Sequence, residues 1–186
     1  QTYGAGHSEA VLGQALQGRP DVLVATKVGY AIDPIKRELT GQDATPGAIE
    51  ASIDASLRRL GRDEIDLVLL HLNALDIAAA DDVFTTLSTL RDAGKIGAFG
   101  WSTDFPDRAA AFAGRAGMVA IEHAMNVFFR ADALVPGIEA HGLLSINRSP
   151  LAMGVLGGAM REFAVNDLRS RTVSWMDYYK DGAISP

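Results

Sequence analysis

The 186-residue sequence contains no cysteine, which removes disulfides, thiolate metal sites and a cysteine nucleophile from consideration and suits a reducing compartment such as the cytoplasm. Basic charge is also short, with 17 Lys and Arg against 23 Asp and Glu and a formal net charge of −6. The Lys and Arg residues are scattered, so neither nucleic acid nor an anionic membrane surface is expected as a partner. Long apolar runs are missing: the longest, around Leu67–Leu70, is far too short to span a bilayer, and no signal peptide is visible. The sequence begins with Gln1 and not Met, compatible with a mature or excised N-terminus. There is no internal repeat, low-complexity tract or linker-like shift in composition, so one domain over 1–186 is expected.

What is present is an alternation of short apolar runs with segments of helical period. Five runs read as strands: Val22–Val28, Ile65–His71, Ile96–Trp101, Met118–Glu122 and Leu143–Arg148. Each is apolar on nearly every residue, as expected of parallel strands covered on both faces. Between them, Thr45 and Pro46 read as N-cap and first-turn residue of a helix. Its apolar positions Ile49, Ile53, Leu57 and Leu60 recur at helical spacing until Gly61 stops it. Val83, Leu87 and Leu90 form a second stripe ending at Gly94. Further helices are expected over Ala109–Ala116, Ala131–Ala140 and Ser8 to about Leu16, and the tail 164–186 reads as an irregular loop or cap.

Strict alternation of strand and helix allows an open doubly wound sheet or a closed eight-stranded barrel. The only G-x-G-like segment, Gly4-Ala5-Gly6-His7-Ser8-Glu9, lacks the last glycine of the dinucleotide fingerprint and follows no visible strand, which favours the barrel. In a barrel the chemistry sits at the C-terminal ends of the strands. Those ends carry Lys27, His71, Ser102 with Thr103, Glu122 and Ser149. Taken singly, a lysine after a strand is usually solvated, a histidine closing an apolar run is usually structural, and Tyr3 could be a packing residue. The histidines His7, His123 and His141 have no metal-ligand spacing, and no H-x-H stands at a strand end, so no metal is expected.

Five ordered motifs change that weighting. Tyr3-Gly4-x-Gly6-x-Ser8-Glu9, Ala25-Thr26-Lys27-Val28-Gly29, Asp63-x-Ile65-Asp66-Leu67-x-Leu69-Leu70-His71, Gly94-Lys95-Ile96-Gly97-Ala98-Phe99-Gly100-Trp101-Ser102 and Ser149-Pro150-Leu151-Ala152-Met153-Gly154 together resemble the aldo-keto reductase family. The stretch Asp167–Ser170 with Trp175–Gly182 resembles a loop of its bacterial members. The resemblance implies an α/β fold of the (β/α)8 TIM-barrel type and NADPH-dependent reduction of an aldehyde or ketone to an alcohol by hydride transfer, without a metal. NADH is the alternative donor.

Residue by residue, the resemblance makes Tyr3 the acid that protonates the carbonyl oxygen, Lys27 its cationic partner and His71 the donor that orients the carbonyl. Ser102 matches a residue that binds the nicotinamide carboxamide. Thr103 stands where Asn is common, and Glu122 where Gln is usual for the same task. Arg148 replaces a ring that stacks on nicotinamide, with a planar guanidinium that can stack instead. Ser149, Leu151 and Gly154 match the pyrophosphate loop, although the lysine common shortly after it is absent from Gly157-Gly158-Ala159-Met160; a tight turn after a strand is the equally open reading of Ser149, Leu151 and Gly154. Trp101 and Trp175 could line a substrate pocket, with core packing open for Trp101.

The resemblance further implies that this chain is the central part of such a barrel, about five βα units, since these barrels run to about 250 residues. The family's aspartate partner of the lysine would lie five residues before Tyr3, and the last strand with its phosphate clamp after the chain's end. The chain alone is then expected to be poorly soluble and without turnover. A non-catalytic NADP(H)-binding regulatory subunit or an inactive homologue is the alternative reading, and the residues name no oligomeric state.

Overall fold

A computed structural model describes residues 2–33, 35–158, 179–180 and 183–184. The elements run α1 (His7–Ala15), β1 (Ala25–Val28), β2 (Tyr30–Asp33), β3 (Glu38–Gln42), α2 (Pro46–Leu60), β4 (Ile65–Leu70), α3 (Ile77–Asp92), β5 (Ile96–Ser102), α4 (Pro106–Phe112), β6 (Met118–Ala124), α5 (Val135–Ala140) and β7 (Leu144–Arg148). A 3₁₀ segment (Ala152–Gly157) and two short strands, β8 (Tyr179–Lys180) and β9 (Ala183–Ile184), follow. Five strands share one sheet in the order β1-β4-β5-β6-β7, and the pairs β1–β4, β4–β5 and β5–β6 are parallel. This is an α/β fold with helices flanking a parallel sheet, as the alternating pattern implies.

The helices form for legible reasons. In α2, Pro46 opens the first turn, Ile49, Ile53, Ser56 and Leu60 turn one face inward, and Gly61 takes the left-handed conformation (φ 65°) that closes the helix. Thr45 is the N-cap residue, as expected, but its hydroxyl accepts no hydrogen bond from the helix N–H groups and donates to Asp43 Oδ1 at 2.7 Å. Helix α3 begins a turn earlier than its apolar stripe, because Asp76 caps it by accepting from the Ala79 N–H at 2.9 Å. Its residues Ala80, Val83, Phe84, Leu87 and Leu90 are buried.

Two expectations are corrected. Strand β1 starts at Ala25 and not Val22, because Asp21 to Leu23 lie at the exposed edge of the turn that follows α1. An antiparallel hairpin, β2–β3, occupies a stretch in which sequence periodicity marks no strand. Its residues alternate no apolar face, since β3 is exposed throughout. Helix α1 forms where it is expected, over His7–Ala15; its Val11 and Leu12 are exposed, and the side chain it buries is Glu9.

Glu9 is held by a polar cluster under the sheet. The Thr26 hydroxyl and the Ser56 hydroxyl (3.0 Å) both donate to Oε1, while Arg59 donates to Oε2 from Nε at 2.7 Å and from Nη2 at 2.6 Å. Burial opposes ionisation of this carboxyl, but the hydrogen bond from Thr26, the charge of the N-terminal ammonium, and the hydrogen bond and charge of Arg59 together outweigh it and hold Glu9 below the usual carboxylate range.

The chain divides into two compact units, one of residues 1–123 with 132–146 and one of 124–131 with 147–186. The first contains α1 to α5 and the sheet core. In the second, Asn126 and Phe129 form a tight β-bridge, the Asn126 side-chain amide donates to the Ser149 carbonyl at 3.1 Å, and β8 pairs with β9. Most of the tail expected as an irregular cap, with Trp175 in it, lies outside the described residues. Among the described residues no helix is long and apolar enough to cross a membrane.

Candidate active site

The register of the sheet places the candidate residues. Lys27 pairs with Leu69, Leu69 with Gly100, and Gly100 with Ala120, so these four positions point to one face. Ser102 and Glu122 stand two residues further along β5 and β6, and His71 two residues beyond Leu69, just past the end of β4. Period-2 alternation therefore sends Lys27, His71, Ser102 and Glu122 to the same face, at the C-terminal ends of adjacent strands. The opposite parity sends Trp101 to the helix side. Its ring is 0% exposed, packs 5.5 Å from Phe84 and 5.7 Å from Phe112, and donates from Nε1 to the Leu72 carbonyl at 3.0 Å. Of the two roles open to it in the sequence, Trp101 takes core packing and does not line an open pocket.

Lys27 Nζ lies 2.9 Å from Glu122 Oε1, in a largely buried ion pair. The strands that carry them are three steps apart, about 14 Å in a flat sheet, and side chains standing perpendicular to such a sheet do not close that distance. The sheet must curl with these residues on its concave side. Gly100 lies on the same face, where a Cβ would come 2.3 Å from the Ala120 carbonyl oxygen and 2.7 Å from Leu69 Cδ2.

Glu122 uses both carboxylate oxygens, since Oε2 accepts from the Ser102 hydroxyl at 2.7 Å. Lys27 also sits over the Tyr3 ring, 5.4 Å from its centroid. Tyr3 in turn is 6.0 Å, ring to ring, from His71 and is 57% exposed. The Thr2 hydroxyl lies 3.4 Å from His71 Nδ1; with the hydroxyl as donor, the imidazole hydrogen is on Nε2. Tyr30, which carries no signal in the sequence, presents an edge-on ring contact to His71 at 5.4 Å. Tyr3, Lys27, His71, Ser102 and Glu122 are thus brought into one corner, with Tyr30 as an added wall.

The remaining candidates are placed as follows. Thr103 is fully buried, donates its hydroxyl to the Asn73 carbonyl at 2.8 Å and accepts from the Phe105 N–H at 3.2 Å, a strand-end structural role. Arg148, Ser149, Leu151 and Gly154 belong to the second unit. There Ser149 (φ 57°), Ala152 (φ 48°) and Met153 (φ 56°) adopt left-handed backbone that costs non-glycine residues free energy. Leu151 is exposed, and the N–H groups of Ala152 and Gly154 donate to the carbonyls of Ser149 and Leu151, each at 2.9 Å. This segment is a pair of tight turns. Of the other histidines, His7 is exposed, His123 is buried with Nε2 2.7 Å from the Ser145 hydroxyl, and His141 bonds the Gly137 carbonyl at 2.8 Å.

Known proteins share this arrangement of motif and fold. The aldo/keto reductase family profile matches residues 1–177. The holo form of an aldo-keto reductase from Bacillus halodurans superposes with a TM-score of 0.73 at 29% identity, covering 87% of this chain and 54% of that one. A glycerol dehydrogenase from Gluconobacter oxydans does so with a TM-score of 0.75 at 31% identity, covering 89% and 53%. The NADH-specific methylglyoxal reductase of Escherichia coli is 26% identical over 185 residues, which are 92% of this chain and 57% of that protein. The chain spans about half the length of the curated relatives it matches. With its motifs, its curled parallel sheet and these likenesses in agreement, the chain belongs to the aldo/keto reductase family.

Proposed function

We propose that this chain supplies the catalytic corner of a carbonyl reductase built on a (β/α)8 barrel, which reduces an aldehyde or ketone to an alcohol with NADPH as donor, or with NADH as the name of the E. coli relative suggests. The observation that carries the proposal is the convergence of Tyr3, Lys27 and His71 at one strand-end corner, with the Tyr3 ring against both Lys27 and His71.

The residues present fit a nicotinamide carboxamide through its NH₂ group. Ser102 gives its hydrogen to Glu122, so its oxygen is left to accept from that NH₂. Ser102 would hold the carboxamide of a nicotinamide whose ring, when bound, supplies the hydride. The chain's own residues then manage the carbonyl oxygen. As the carbon is reduced, this oxygen gains negative charge, and donors aimed at it stabilise the transition state more than the ground state. Tyr3 gives its phenolic proton to the oxygen, the His71 Nε2–H donates a hydrogen bond to it, and the Lys27 ammonium stabilises the phenolate left on Tyr3. Solvent returns the proton, for which the exposure of Tyr3 leaves a path.

The test is carbonyl-dependent oxidation of NADPH and of NADH by the protein carrying this chain, run beside equilibrium binding of both dinucleotides. Turnover with at least one aldehyde or ketone is expected. Tight binding without turnover on a broad carbonyl panel would replace the proposal by the regulatory-subunit reading, and absence of both would end it.

A further inference from the structure

The sequence marks Glu122 as a cofactor ligand, yet in the structure its carboxylate is spent on the protein. One oxygen is 2.9 Å from Lys27 Nζ and the other accepts from Ser102 Oγ at 2.7 Å. The two partners come from strands β1 and β5, on opposite sides of β4, and converge on a third strand, β6. The Lys27 and Glu122 side chains retain only 16% and 10% of their exposure, so water does not substitute for either partner cheaply.

We propose that Glu122 is a positioning residue: its carboxylate fixes the Lys27 ammonium against Tyr3 with one oxygen and orients the Ser102 hydroxyl with the other, tying the acid side and the cofactor side of the corner to one side chain. A flexible lysine stem has several rotamers open to it, and an amine swinging free of the Tyr3 ring cannot support proton transfer from it. A glutamine at 122 can still accept from Ser102 through its amide oxygen and offers an N–H to a carboxamide, but it presents no charge to Lys27. The two functions of this position therefore separate in one substitution. The catalytic consequence rests on the reductase reading; the hold on Lys27 does not.

The experiment compares Glu122→Gln and Glu122→Asp with the unmodified protein. In the first arm, acylation by an acetyl N-hydroxysuccinimide ester is followed by peptide mass spectrometry, with exposed Lys36 as internal reference. Reagent attacks the free amine, so an amine locked in an ion pair reacts slowly. Glu122→Gln is expected to raise the Lys27-to-Lys36 rate ratio about fivefold or more, a factor within the range of a partly buried ion pair. Glu122→Asp, one methylene shorter, gives an intermediate rise. An unchanged ratio in Glu122→Gln with circular dichroism retained overturns the proposal; if Glu122→Gln does not fold, an unchanged ratio in Glu122→Asp does so.

The second arm measures dinucleotide affinity and turnover. Glu122→Gln is expected to keep its dinucleotide dissociation constant within about twofold while kcat falls about tenfold or more. Weakened binding with kcat unchanged would make Glu122 a cofactor clamp and overturn the proposal. Failure of every carbonyl to turn over defeats the reductase reading alone, and the Lys27 ratio then decides the inference without it.

Discussion

Replacing Arg59 by methionine strips the guanidinium from a carboxylate that stays buried, and the structure sets the scale of the loss. Arg59 Nη2 is 2.6 Å from Glu9 Oε2, with 22% of the Arg59 side chain and 8% of the Glu9 side chain exposed. Breaking a buried pair by removing one partner costs about 3–5 kcal/mol. Two hydroxyls, those of Thr26 and Ser56, still donate to Glu9, and the Arg59 end of the pair is partly solvated, so the low end, about 3 kcal/mol, is expected. At a urea slope of about 2 kcal/mol/M this lowers the unfolding midpoint by about 1.5 M, read by far-ultraviolet circular dichroism. Pairing it with Glu9→Gln returns much of the loss, because no uncompensated charge remains.

The pH dependence follows from the same cluster. The Glu9 carboxyl titrates lower in the folded chain than in the unfolded one, so its contribution is complete above the unfolded carboxylate value of about 4.3 and is lost as pH falls through the folded value. Glu9→Gln should flatten that part of the acid limb. A cost below about 1 kcal/mol for Arg59→Met, or an acid limb unchanged in Glu9→Gln, would refute the reasoning.

Trp101→Ala opens a cavity against Phe84 and Phe112 and removes one of two hydrogen bonds to the Leu72 carbonyl, so a loss of about 3–5 kcal/mol in urea unfolding is expected; a loss under about 1 kcal/mol would mean the ring is not core. Asp76→Ala removes the cap on α3 and should cost about 1 kcal/mol, with Asp76→Asn restoring most of it in the same assay.

The strand ends were the legible part of the site. Lys27, His71, Ser102 and Glu122 each close an apolar run, and a polar residue ending a buried parallel strand stands out against its neighbours. Counting parity along β5 would also have sent Trp101 to the helix side, but that count needs the register with β4 and β6, which one strand does not carry. The Lys27–Glu122 pair depends on the curl of the sheet across three strand steps, a property of tertiary packing with no local signature. Glu9 was hidden for a different reason. Hydrophobic periodicity assigns charges to the solvent face, and a carboxylate buried by three donors breaks that rule without altering the pattern around it. Tyr30 was missed because the hairpin that places it has no alternation to mark it: β3 buries nothing.

The most direct measurement is Tyr3→Phe, which removes one oxygen from the corner and leaves the ring against Lys27 and His71. Carbonyl-dependent dinucleotide oxidation and dinucleotide affinity are measured on the same preparation. With Tyr3 as the acid, kcat/KM falls by about 10²-fold or more while the affinity is retained, as expected on losing general acid catalysis. Full turnover in Tyr3→Phe would contradict the assignment of this corner as the catalytic one.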